Sequence, residues 1–235
     1  MLTYIKTATN DFKLIFRDPS LRVFLAMPIL ILLIVCYFFP YLETTYPTTS
    51  DYIIYLVIMS CTQAATMYGF IYSIVFLDER DTEVAKMYGI LPISKSGFIV
   101  NRLVTPYGLS TLTTFVILLL QPLYSLTIVG TFIFAALFGL LAPVLALAVA
   151  SLANNKMEGM TWFKGLNLVL SLPLAAFFLP DYAYFFSIIP TFWAYQGMHD
   201  FILQQGYFIE LVIGFIVTLL TLVLLTIFFV KRHFA

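Results

Sequence analysis

The residues with the most chemical potential lie in one charged run between the second and third apolar stretches. The run covers residues 78–102, and its charged members are Asp78, Glu79, Arg80, Asp81, Glu83, Lys86, Lys95 and Arg102. A charge at the centre of a membrane-spanning helix costs about 2.5–3.5 kcal/mol, so this run must lie in water or against another protein. Gly89, Ser94 and Lys95 have the spacing of a phosphate-binding loop, but serine replaces the second glycine that such a loop needs. Pro92 also interrupts the segment, so we expect no nucleotide site here.

The remaining candidates for chemistry are weaker. His199 and Asp200, with Glu210 further along, form a poor metal-ligand set, and a hydrogen-bonded loop is the simpler interpretation. Cys36 and Cys61 lie inside apolar segments, where free thiols act as small hydrophobic groups. No Ser-His-Asp or Cys-His set is evident, and the span centres lack the acidic residues typical of ion-coupled carriers. We therefore predict no catalytic residue, no metal site and no cofactor bound by this chain.

The elements around the charged run are apolar enough to lie in lipid. Of the 235 residues, 62% are hydrophobic and 10% are charged, whereas a soluble domain is roughly half apolar and a quarter charged. Zero formal net charge gives no indication of nucleic-acid binding. We predict an all-α integral membrane protein in which residues 22–235 form one six-helix transmembrane domain. Each span has about the 20 residues needed to cross a bilayer, and the predicted spans are 22–42, 52–77, 103–124, 130–152, 163–180 and 208–230.

Residues 1–21 form a separate amphipathic segment. Ile5, Ala8 and Phe12 recur at helical spacing and define an apolar face. This pattern favours a helix lying in the membrane interface, and a plain solvated helix is the alternative. Its other face carries the basic residues Lys6, Lys13 and Arg17.

The basic residues predict the orientation of the chain. If the N-terminus lies in the cytoplasm, all 12 lysines and arginines are cytoplasmic, in agreement with the positive-inside rule. This orientation places the C-terminus and the run 78–102 in the cytoplasm as well. The outer loops then carry only acidic residues, namely Glu43, Asp51, Asp181, Asp200 and Glu210.

Two further features remain: a set of polar residues inside the spans, and an aromatic segment outside them. Neutral polar groups in lipid need partners, and spans two and five place several on single helical faces: Gln63, Thr66, Asn167 and Ser171. These side chains either bond to neighbouring helices or contact a substrate.

Residues 180–207 are rich in aromatic residues and interrupted by proline, which predicts an extracellular re-entrant or interfacial hairpin before span six. An aromatic belt with no role in substrate selection is the alternative.

The charged run resembles the signature of type-2 ABC exporter permeases. In that family the second span ends in an acidic-basic cluster with a threonine, and a proline-aliphatic-serine turn follows. The residues that match are Glu79, Arg80, Asp81, Thr82, Glu83, Pro92 and Ser94. The chain departs from the pattern because it lacks the glycine before Thr82 and has Leu91 where serine or threonine is usual. The closest likeness is to bacterial drug-export permeases, including fluoroquinolone-export-like proteins.

The resemblance implies a half-transporter in the bacterial cell membrane. Two six-span permeases, identical or different, would assemble with two ATPase subunits, which bind the ATP and magnesium. The helix that starts at Asp78 would dock on the ATPase through Asp78, Glu79, Arg80, Asp81, Glu83 and Lys86. In this family spans two and five of both protomers line the pathway, which would give Gln63, Thr66, Asn167 and Ser171 a role in transport.

We therefore expect the permease subunit of an ATP-driven exporter whose partners are an ABC ATPase, a second permease and membrane lipids. Its substrate would be a hydrophobic or amphipathic drug, lipid or lipid-linked molecule, moved outward. The alternative is a membrane scaffold or sensor subunit that binds a cytoplasmic partner through the same helix without transport. An intramembrane enzyme or ion-coupled carrier is disfavoured because the chain lacks buried acids and nucleophile sets.

Overall fold

The computed structural model describes residues 15–17, 19–82 and 95–233. Within these ranges the chain is helical and contains no strand. The α-helices are α1 (Pro19–Leu33), α2 (Phe39–Thr45), α3 (Ser50–Asp81), α4 (Lys95–Leu120), α5 (Ile128–Gly139), α6 (Leu141–Leu152), α7 (Lys156–Ser171), α8 (Pro190–Ile202) and α9 (Phe208–His233). A π-helical turn over Ile34–Phe38 joins α1 to α2, and 3-10 segments cover Pro47–Thr49, Leu172–Phe177 and Pro180–Ile188.

Six helical stretches in this part of the chain are long and apolar enough to cross a membrane. We call them spans 1 to 6, and they cover Leu21–Thr45, Pro47–Asp81, Gly97–Leu120, Ile128–Leu152, Lys156–Phe177 and Phe208–Arg232. The predicted all-α class and the predicted number of spans are thus confirmed. The orientation of the termini stays a prediction. The amphipathic helix predicted over 1–21 lies mostly outside the described residues.

Spans 2 and 4 form the centre of the bundle. Their most apolar windows are 72% and 83% buried, whereas the windows of spans 1, 5 and 6 are at most 22% buried. The central pair packs closely because Gly69 has no side chain: a Cβ there would lie 2.6 Å from the carbonyl oxygen of Ala142. Small residues allow helix backbones in membranes to approach in this way.

Span 4 consists of two helices, α5 and α6, that meet at Leu140. Pro143 lies in the first turn of α6, where its missing N–H would have no partner within that helix. On the preceding side, a Cβ on Gly139 would lie 2.1 Å from the hydroxyl oxygen of Thr111. The interruption therefore coincides with a close contact between span 4 and span 3.

The buried core has two clusters, one in each half of the bundle. The first joins the C-terminal part of α3 to α6 and the start of α4, and includes Phe70, Tyr72, Phe76, Ile99, Leu103 and Phe229. The second joins the N-terminal part of α3 to α5 and α8, and includes Ile53, Ile58, Ile117, Phe134, Phe138 and Met198.

Residues 180–207 contain the 3-10 segment Pro180–Ile188 and then α8. Helix α8 is held by the buried side chain of Tyr195, which accepts a hydrogen bond of 2.9 Å from Thr62 and donates one of 3.1 Å to the carbonyl of Leu170. Burial raises the pKa of the Tyr195 hydroxyl above its ordinary value. These bonds attach α8 to spans 2 and 5. The membrane depth of this segment stays a prediction.

Candidate functional site

The predicted docking residues divide between described and undescribed parts of the chain. Asp78, Glu79, Arg80 and Asp81 occupy the last turn of α3. Arg17 is exposed on a short helical stretch. The remaining predicted residues of the docking run and the interface helix lie outside the described residues; they are Lys6, Lys13, Glu83 and Lys86.

Glu79 does not face solvent. Its side chain is 8% exposed and accepts a 2.6 Å hydrogen bond from Nη1 of Arg102, whose side chain is 2% exposed. The guanidinium carbon of Arg102 also lies 4.9 Å from the ring centre of Phe76 and 5.7 Å from that of Phe98. Burial of an ion pair is favourable only when both partners are well satisfied. The short contact and the two aromatic faces help to offset the cost of burial, and the pair links the end of span 2 to the start of span 3.

Arg80 binds the end of span 4. Its Nη2 donates to the carbonyl of Ala153 at 2.5 Å, and its Nη1 donates to the carbonyl of Ala150 at 3.4 Å. The last carbonyls of a helix have no partner within that helix and carry partial negative charge. A guanidinium at this position therefore closes the C-terminus of α6 and fixes it to span 2.

The loop between spans 4 and 5 completes this arrangement. Asn155 caps α7, because its side-chain oxygen accepts a 3.0 Å hydrogen bond from the N–H of Glu158. The carboxylate of Glu158 in turn accepts bonds from the backbone and side chain of Asn154. Arg232 of span 6 donates to the side-chain oxygen of Asn154 at 2.6 Å. Lys156 forms a 2.6 Å ion pair with Asp78, and both side chains are partly exposed.

These contacts define a single site, which we call the span-end cluster; its residues are Asp78, Glu79, Arg80, Arg102, Asn154, Asn155, Lys156, Glu158 and Arg232. The cluster connects the ends of spans 2, 3, 4, 5 and 6. Asp81 lies beside it and is exposed. Residues 83–94, which follow α3 in the sequence, lie outside the described residues.

The polar residues predicted in spans 2 and 5 also meet. Asn167 donates to the side-chain oxygen of Gln63 at 2.8 Å, and Gln63 donates to the hydroxyl of Ser171 at 3.4 Å. The side-chain oxygen of Asn167 is buried and has no partner among the described residues. Thr66 is buried and bonds to the carbonyl of Gln63 within its own helix. Three of the four predicted pathway residues therefore form one interhelical cluster.

Reasoning from the sequence did not pair Arg102 with Glu79, or Arg232 with Asn154. The sequence did contain a signal for the first pair: Arg102 is a basic residue near the start of an apolar span. A charge at that depth requires a partner. The partner itself cannot be read from local spacing. Within the described ranges, no group of three or more His, Cys, Asp or Glu side chains is arranged to hold a metal ion.

The chain matches a known protein family over most of its length. A family described as "Fluoroquinolones export permease protein Rv2686c-like" matches residues 11–226, which include spans 1 to 5, span 6 as far as Thr226, and the span-end cluster except Arg232. The chain belongs to this Rv2686c-like permease family. Among curated proteins, none matches the chain. The drug-export likeness seen in the charged run is thus confirmed at the level of the family, and the permease is a multi-pass membrane protein of the transport class.

Proposed function

We propose that this Rv2686c-like permease is the transmembrane subunit of an ATP-driven ABC exporter in the bacterial cell membrane. A separate ATPase subunit would hydrolyse ATP, and a second permease protomer would complete the pathway. The substrate would be a hydrophobic or amphipathic molecule that moves outward. The family description names fluoroquinolones, so an amphipathic drug of that kind is the first substrate to test.

The observation that carries this proposal is the span-end cluster. An ATPase can do work on the spans only if its docking segment is mechanically joined to them. The buried Glu79–Arg102 pair and the Arg80 contacts join the end of α3 to spans 3 and 4, so the helix bundle receives a displacement as a unit. Glu79 and Arg80 would thus transmit the motion, while Asp78 and Asp81, together with Glu83 and Lys86 beyond the described residues, would meet the ATPase.

The docking role can be tested at Asp81, because this side chain is exposed at the end of α3. Asp81→Lys should weaken ATPase binding by roughly threefold to tenfold, since charges at the rim of an interface set its encounter rate and register. The measurement is ATP hydrolysis by the complex purified through a tag on the permease, together with fluoroquinolone uptake into inside-out vesicles. Asp51→Lys, at the other end of α3, is the matched control. Unchanged assembly and unchanged coupled hydrolysis in Asp81→Lys would refute the docking role.

A role for spans 2 and 5 in the pathway can be tested at Asn167. Asn167→Leu removes the amide that donates to Gln63 and should lower drug uptake while ATPase binding is retained. The lost interhelical bond itself is worth only about 0.6 kcal/mol on average in membranes, so the fold should survive. Thr221→Val removes a hydroxyl that bonds within span 6 and serves as the control. Equal uptake by Asn167→Leu and the wild type would exclude Asn167 from the pathway.

The same vesicle assay separates transport from the scaffold alternative. A scaffold or sensor subunit would retain the ATPase and show no ATP-dependent movement of any drug or lipid tested. ATP-dependent uptake that requires the permease would exclude that alternative.

A further inference from the structure

A cavity lies at the opposite end of span 5 from the span-end cluster. Its volume is about 440 Å³. It opens between the end of span 5, the segment Pro180–Ile188, α8 and the start of span 6. Its lining includes the aromatic residues Phe177, Tyr184, Phe192 and Trp193, and the polar residues Gln196, Asp200 and Glu210.

Two of the aromatic residues that line this cavity, Phe192 and Trp193, are held in place. Phe192 is almost fully buried, and its ring lies 5.2 Å from that of Trp193 in an edge-to-face arrangement. The indole N–H of Trp193 donates a 3.0 Å hydrogen bond to the carbonyl of Ser187. Phe192, Gln196 and Asp200 follow one another at intervals of four residues, so these side chains share one face of α8.

The charge of the cavity is negative and incompletely compensated. Asp200 contacts Nδ1 of His199 at 3.1 Å. In contrast, Oε2 of Glu210 is buried and has no hydrogen-bond partner among the described residues. The sequence has no lysine or arginine between Lys164 and Lys231, and the lining contains none. A buried carboxylate oxygen is costly without a donor or a positive charge.

We propose that this cavity binds an organic cation, with its charged group beside Glu210 and Asp200 and its apolar body against the aromatic walls. Aromatic faces attract cations through the ring quadrupole, and quaternary ammonium groups are recognised in this way. An inorganic cation would gain from the carboxylates but would leave the aromatic surface unused. Binding at this cavity is independent of the proposed ATP-driven transport, so failure of one proposal leaves the other standing.

The inference can be tested by fluorescence of the full-length permease in detergent. Trp193 lines the cavity, and Trp162→Phe removes the other tryptophan, which lies near the far end of span 5. Benzyltrimethylammonium is the probe, with benzyl alcohol as the neutral comparison and benzenesulfonate as the anionic one. We expect saturable quenching of Trp193 by the cation only. Equal affinity for all three compounds would overturn the proposal.

Glu210→Gln provides the decisive variant, because it keeps the size of the side chain and removes its charge. It should raise the dissociation constant for benzyltrimethylammonium by about tenfold or more, as expected when one partner of a desolvated charge pair is lost. Asp51→Asn, an exposed acidic residue outside the cavity, should leave the constant unchanged. Should Glu210→Gln fold poorly, Asp200→Asn serves as the second variant, and it should also weaken binding. Wild-type affinity in a folded charge-removed variant would refute the assignment.

Discussion

At the residue scale, the charges at the end of α3 have different surroundings although they are adjacent in the sequence. Glu79 is buried against Arg102, Arg80 binds the carbonyls of α6, and Asp81 is exposed. A buried carboxylate is stable only while its cation is present. A substitution at Glu79 therefore tests the stability of the protein, whereas a substitution at Asp81 tests the proposed contact with a partner.

We predict that Glu79→Gln lowers the thermal unfolding midpoint of the permease in detergent. Removal of one member of a buried ion pair costs about 3–5 kcal/mol, because the remaining buried charge loses an opposite charge that offset its desolvation. The double variant Glu79→Leu/Arg102→Met should recover most of the loss, since both buried charges of this pair are then absent. Asp81→Asn, an exposed position in the same helical turn, should unfold at the wild-type temperature. A double variant less stable than Glu79→Gln would contradict this account.

At the element scale, the contact between spans 2 and 4 depends on a small residue at one point. The backbone of α3 approaches the carbonyl oxygen of Ala142 so closely that a Cβ on Gly69 would lie 2.6 Å from it. A backbone atom cannot move aside as the end of a flexible side chain can. The two most buried spans would have to separate to accommodate any larger residue.

Gly69→Ala should therefore destabilise the bundle by about 1–3 kcal/mol, the usual cost of overpacking a core. Gly108→Ala is the control, because a Cβ there meets nothing within 4 Å and alanine is the better helix former. Its unfolding midpoint should be unchanged or higher. Thermal unfolding of both variants in the same detergent measures the difference, and equal midpoints would show that spans 2 and 4 are less closely packed than described.

At the scale of the whole molecule, basic residues fall on one predicted side of the membrane only, whereas acidic residues occur on both. All of the lysines and arginines occur near the predicted cytoplasmic ends, and acidic residues alone occur in the predicted outer loops. Spans 1, 5 and 6 keep large apolar faces exposed, with Ile29, Leu168 and Leu224 as examples. Such faces suit lipid or a second protomer and are incompatible with water.

The predicted orientation can be tested with single cysteines placed at Asp51 and Lys231 in a Cys36→Ala/Cys61→Ala background. A membrane-impermeant maleimide should label Asp51→Cys in intact cells, and it should label Lys231→Cys only after the membrane is permeabilised. This result is expected because loops rich in lysine and arginine stay on the cytoplasmic side of the membrane. Labelling in the reverse order would invert the topology and place the span-end cluster outside.

The amino-acid sequence by itself determined the class of the protein and its six spans. Both depend on local composition, because about 20 consecutive apolar residues are stable across a bilayer only as a helix. The sequence also determined the family, since the acidic-basic run after span 2 and the order of the spans are properties of the linear chain. The sequence also predicted that Asn167 and Ser171 lie on the same face of their helix, because residues four apart share one helical face.

Only the tertiary structure decided which polar groups meet. Glu79 and Arg102 are 23 positions apart, and Asn154 and Arg232 are 78 apart, so no helical period relates them. The beginning of span 5 at Lys156 depends on the Asn155 cap and the Asp78 contact, which an apolar window does not detect. The cavity beside Glu210 arises from four separate segments. Contacts of this kind follow from the packing of whole helices, since long-range distances are not a property of any local stretch.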